Sequence, residues 1–188
     1  MKINFEYSSV YDMMLSEMTG NFDSGNIKKS HDFLNSIKLF WNSNGNRIVK
    51  EIENVSRLSF KKNVDCFVVS SMPYESISHP FTIKAVKNND KLFAIFVHEL
   101  THILMSQNFR SVHHLLSFMD KDHNYRVHFP VLLIERRVLE RLNKDYKKQK
   151  RIEDLDYVWK DVNKVYPKFC NSRGIVKFLK ENAANKQI

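Results

Sequence analysis

Three residues that could do chemistry together stand in one short run, His98-Glu99-Leu100-Thr101-His102. Positions four apart lie on one face of an α-helix, so the two imidazoles can reach one metal ion. The carboxylate of Glu99 can reach a water on that metal and take its proton. A metal that acidifies water, beside a carboxylate base, is the working core of a metal-dependent hydrolase. The run lies in an apolar stretch from Leu92 to Leu104. A metal helix needs such surroundings, because stray buried charges would cost several kcal/mol or pair with the ligands. The plain alternative is an amphipathic core helix whose histidines hydrogen-bond to neighbours.

Two histidines do not hold a catalytic zinc, which takes three protein ligands and keeps a position open. One zinc class places a third His six residues after the second, with a Gly midway; here those positions hold Asn108 and Met105, so that pattern fails. The segment after Phe129 offers a better source. Pro130 suits a first helical turn, and Val131, Leu132, Val138, Leu139 and Leu142 recur at helical spacing. Glu135 sits inside that apolar stripe, while Arg136, Arg137, Glu140, Arg141 and Lys144 take the other face. A carboxylate facing a core needs something positive against it. Glu135 is therefore the expected third metal ligand; a buried Arg, such as Arg126 or Arg110, is the alternative partner, which would leave Glu135 in an ion pair or behind the ligands.

His128 lies two helical turns before Glu135. Three roles are open to it: a catalytic donor to the developing oxyanion, a replacement ligand, or a simple helix-start residue. His113, His114 and His123 fall in the stretch between the two helices, where solvated histidines are the ordinary expectation.

On His98, Glu99, His102 and the later Glu135, the chain resembles the gluzincin branch of the zincin metallopeptidases, and its small size resembles the minigluzincins. The resemblance covers roughly residues 62 to 145. It implies that His98, His102 and Glu135 bind Zn2+ and that Glu99 is the general base. It also implies a small sheet whose edge strand flanks the metal helix and holds extended substrate by backbone pairing.

The elements that would position these residues can be read from patterning. Asn63 to Ser71 is rich in branched residues and reads as a strand; Met72 to Ser76 reads as a turn; Phe81 to Val86 reads as a second strand with Pro80 at its start. Met1 to Tyr7 reads as a short strand. Val10, Met13, Met14 and Met18 mark a first packing helix, Phe33 to Trp41 a second, and Ile48 to Val55 a third after an Asn44-Gly45 break. Leu155 to Val165 recur at helical spacing up to Pro167, and a last apolar patch spans Ile175 to Leu179. The terminal Asn-, Lys- and Gln-rich residues are expected to fray. The expected class is α+β, helix-dominated, with a small sheet, in one domain over residues 1–188.

The 188 residues suffice for a real core, and only four Gly and four Pro interrupt them. No apolar run has signal-peptide or membrane-span form, so a soluble, cytoplasmic protein without a membrane partner is expected. Cys66 and Cys170 are too few for a disulfide framework or a Cys-type zinc ribbon. The net charge of +9 concentrates partly in Lys144, Lys147, Lys148, Lys150 and Arg151. No nucleic-acid motif or stacking pattern accompanies that run, so specific nucleic-acid binding is not expected. A peptide or protein is the expected substrate. Two other functions compete with a general peptidase: a regulatory protein of the same fold that cleaves or binds one partner, and a basic nucleic-acid scaffold with a structural metal.

Overall fold

The computed structural model describes residues 1–20, 25–86, 88–109, 121–145 and 155–184. The chain is α+β and helix-dominated, with one small mixed sheet. Strand β1 (Ile3–Tyr7) is followed by α1 (Ser9–Thr19) and the long α2 (Gly25–Ser56). Then come β2 (Val64–Val69), β3 (Ser76–Ser78) and β4 (Phe81–Lys84). Helices α3 (Asn89–Asn108), α4 (His123–Arg141), α5 (Asp156–Cys170) and α6 (Ile175–Ala184) complete it. Among the described residues, no helix is long and apolar enough to cross a membrane.

The sheet order is β1-β2-β4-β3, with β1, β2 and β4 parallel and β3 antiparallel to β4. That order makes β3 an edge strand, and β3 runs against α3. The expected edge strand flanking the helix of His98 and His102 is therefore present. It begins at Ser76, which the sequence pattern placed in a turn, whereas Pro80 closes the β3–β4 hairpin with His79.

Helix α3 is the central wedge. Asn88 caps it by accepting from the N–H groups of Asp90 and Lys91. The fully buried Phe96 meets Phe5, Phe40, Trp41 and Phe81 at ring-centroid distances of 4.8 to 6.1 Å, which fixes the helix against both sheet and α2. Helix α4 crosses α3, α2 and α5. Val131, Leu133, Ile134 and Val138 are all fully buried, so α4 is apolar over more than one face.

Four sequence expectations change here. The Asn44-Gly45 break does not exist, because α2 runs unbroken through it. A Cβ at Gly45 would run into the Trp41 indole one turn earlier, so this glycine makes room for a ring rather than ending a helix. Pro130 is not in the first turn of α4: Asp122 caps that helix through Tyr125 N–H at 2.8 Å, and Pro130 lies inside it. Likewise α5 continues past Pro167 to Cys170. Finally, Val10, Met13, Met14 and Met18 lie on the outside of α1, not on a packing face.

Candidate metal centre

Helix geometry carries out the first expectation. His98 and His102, four residues apart on α3, bring their Nε2 atoms within 3.1 Å of each other. The His128 ring lies against both, with centroids 5.7 Å from His98 and 4.9 Å from His102. His128 is in the second turn of α4, not at its start. One ligand nitrogen from each of His98, His102 and His128 lies within 4.8 Å of the others, and all three residues are half-buried. This is geometrically compatible with a metal site.

Tautomers follow from the neighbours. The Asn124 carbonyl can only accept, so His128 Nδ1 donates to it at 2.9 Å and leaves Nε2 with a lone pair. His98 Nδ1 meets Glu135 Oε2 at 2.7 Å, which holds a proton on Nδ1 and leaves Nε2 as the nitrogen turned inward. The Nε2 atoms of His98 and His102 share one proton across 3.1 Å. With that proton released from His98 and the His102 proton on Nδ1, all three Nε2 atoms turn lone pairs toward a shared cation.

The structure thus places Glu135 on the outer nitrogen of His98, and the cluster of donors it forms among the described residues does not include Glu135. The buried carboxylate does find a positive partner, as its place in the apolar stripe required, but the partner is an imidazole of the site rather than Arg126. His123 opens α4 and is not one of the three clustered donors, though its charge helps to lower His128; His113, His114 and Arg110 lie outside the described residues, as do Lys147, Lys148, Lys150 and Arg151.

Glu99 is buried, and its Oε1 accepts from Ser76 Oγ at 2.7 Å. Burial pushes its carboxyl up, with the His98 charge and the Ser76 hydrogen bond opposing and the Glu135 charge adding. Burial holds His102 well below its usual range, helped by the charges of His98, His128 and His79, and lowers His128 to about 4. Burial also works against a proton on His98, but the hydrogen bond and charge of Glu135 outweigh it and raise the group. Only the unprotonated ring binds metal, so His102 and His128 are ready for a cation, whereas a cation at His98 would have to displace the proton that Glu135 favours.

Two buried carboxylates, Glu99 and Glu135, face this one cluster. A divalent cation would neutralise a charge pair that low dielectric otherwise penalises. Ser76 carried no signal in the sequence, because a serine in a turn-like run looks like any other. His79 was equally silent: it stands at the rim, between Ser78 Oγ and Ser106 Oγ at 3.1 Å each, and Ser106 continues the His98–His102 row by four residues.

No family model matches the chain, and no curated protein or solved structure matches it either.

Proposed function

We propose that the chain is a zinc-dependent hydrolase, specifically a metallopeptidase that cleaves peptide bonds. His98, His102 and His128 would hold the zinc, Glu99 would be the general base, and Glu135 would position His98. The observation that carries this reading is the three-imidazole cluster with a separate buried carboxylate one residue from a ligand. Three imidazoles suit zinc better than magnesium or calcium, which prefer oxygen ligands. Three protein ligands also leave a position open for water and substrate. The zincin reading is kept, with one departure: the gluzincin resemblance implies Glu135 as ligand, and here a histidine takes that role.

When bound, zinc supplies Lewis acidity, polarising a carbonyl oxygen and acidifying a water. The chain's own residues do the rest. Glu135 keeps a proton on His98 Nδ1, so Nε2 would be the nitrogen that presents its lone pair to the metal. Ser76 occupies Oε1 of Glu99, so Oε2 is the oxygen left to take a proton from the attacking water. The same oxygen then returns that proton to the leaving amine. Burial raises the affinity of Glu99 for protons, which favours this double duty. Strand β3 favours a peptide over other amides: an edge strand beside the base can take an extended chain by backbone pairing.

The test is zinc-loaded protein incubated with a peptide library made from denatured proteins, with new termini read by mass spectrometry. New termini should appear with wild type and vanish with Glu99→Gln or a chelator. Stoichiometric zinc with no cleavage of any library member would contradict the peptidase reading, and absence of zinc binding would contradict the hydrolase.

A further inference from the structure

Helix α1 is built inside out. Its buried residues are Asp12 and Ser16, whereas Val10, Met13, Met14 and Met18 are 63%, 41%, 57% and 76% exposed. A surface helix ordinarily shows the reverse. The charge pattern around it is also inverted. The stretch Ile3 to Ile27 contains four acidic residues and no Lys or Arg, in a chain of net charge +9.

Beside α1, at the end of β2, lies a half-open cavity of about 150 Å³. Asp12, Tyr7 and Ser70 form its polar wall, and Val10, Met13 and Ile27 its apolar one. Ser70 donates to Asp12 Oδ1 from its N–H at 2.8 Å and from its hydroxyl at 3.0 Å. The Tyr7 hydroxyl also hydrogen-bonds to Asp12. All these donors are neutral, and among the described residues no ion pair engages Asp12. The carboxylate is 4% exposed, so its charge is held in low dielectric without a cation.

We propose that this cavity binds one lysine or arginine side chain, presented by an apolar peptide segment of a partner protein. The cation supplies the charge that Asp12 lacks. One carboxylate is too few for a divalent ion, which takes six or more oxygens. A cavity of about 150 Å³ can hold a ring of benzene size, so the stem of a long basic side chain fits. The surrounding Met13, Met14 and Met18 then seat the apolar residues on either side of that side chain, because unbranched thioether side chains adapt to irregular partners. Charge complementarity thus selects the central residue of the segment, and the methionine face selects its neighbours.

The probes are acetyl-leucyl-lysyl-leucinamide and its glutaminyl counterpart, titrated into full-length protein carrying 13C-methyl methionine. The lysyl peptide should shift the Met13 and Met14 methyl signals saturably, with a Kd on the order of 1 mM, as a tripeptide-sized contact allows. The glutaminyl peptide should bind at least about tenfold more weakly, a loss on the order of 1.4 kcal/mol, and Asp12→Asn should remove the preference. The two peptides compared on wild type keep the test decisive even if the variant folds poorly. Equal shifts from both peptides would reduce the face to unselective apolar contact and overturn the proposal. So would the absence of shifts, or self-association of the free chain that Asp12→Asn abolishes, which would make a second copy the occupant.

Discussion

Helices α1 and α4 each carry a buried carboxylate, and they handle it differently. Glu135 on α4 is met by His98 Nδ1, a partner that can hold or release a proton and whose other nitrogen faces two more imidazoles. Asp12 on α1 is met by Ser70 and Tyr7, which donate hydrogen bonds and change nothing else near neutral pH. The first arrangement passes the effect of a charge to a cluster of three imidazoles. The second only holds a charge in place. A buried carboxylate does not by itself mark a catalytic site; what decides is whether its partner has a second face, and what that face meets.

The largest effect that would sharpen this contrast belongs to Glu99. Glu99→Gln should keep zinc while lowering zinc-dependent peptide cleavage by a factor on the order of 10² or more, because the base is lost and the ligands are not. Rates of terminus formation by mass spectrometry check it, and wild-type rates in the variant would remove Glu99 from the mechanism.

Loss of a ligand comes next. His98→Ala and His128→Ala should each strip the zinc measured by plasma mass spectrometry after dialysis, and should abolish the rise in Tm that zinc gives wild type, since metal binds only the folded state. Glu135→Ala should behave differently. Removing a group that only orients a ligand should weaken zinc about 10- to 100-fold, measured against a competing chelator, without abolishing it. If Glu135→Ala empties the site and His128→Ala leaves it loaded, their roles are exchanged.

The metal-free protein should also respond to acid. His128 binds its proton at about 4 when folded, against 6.5 when free, so the unfolded chain takes up protons first. Stability contributed by this neutral ring is complete above about 6.5 and is lost as pH falls toward 4. Urea unfolding of chelator-treated protein at a series of pH values should show this fall, and His128→Gln should flatten it. A fall of equal steepness in the variant would assign the acid response to other groups.

The smallest effect expected is at Asp12. Asp12→Asn should cost about 1–3 kcal/mol, the range for disturbing a part-buried hydrogen-bond set, read as a lower midpoint in urea with or without zinc. A cost that appears only with zinc bound would mean that the two carboxylates are linked, and the contrast between them would fail.

How much of this was legible in the sequence depends on distance along the chain. His98, Glu99 and His102 could be read directly, because helical spacing alone brings residues four apart onto one face. The stripe around Glu135 was legible as a buried helix face, and the need for a positive partner followed from it. Which partner could not be read, because it depends on how α3 and α4 cross and on the turn of one imidazole ring. The same crossing puts His128 beside His98. Local rules misread Gly45 and Pro130 as boundaries, since neither packing against Trp41 nor a capping Asp122 eight residues before the proline shows in a propensity pattern. The methionines of α1 looked like a core face because periodicity reports that a face is apolar, not what covers it.

The central claim, three imidazoles on one zinc with Glu135 behind them, is tested most directly by X-ray absorption spectroscopy of the zinc-loaded protein. Multiple scattering counts imidazole rings. The arrangement described here predicts three rings at about 2.0–2.1 Å with one further light atom, unchanged in number when Glu135 is replaced by Gln. Two rings in the wild type, with a carboxylate oxygen in the third protein position that disappears in Glu135→Gln, would contradict it.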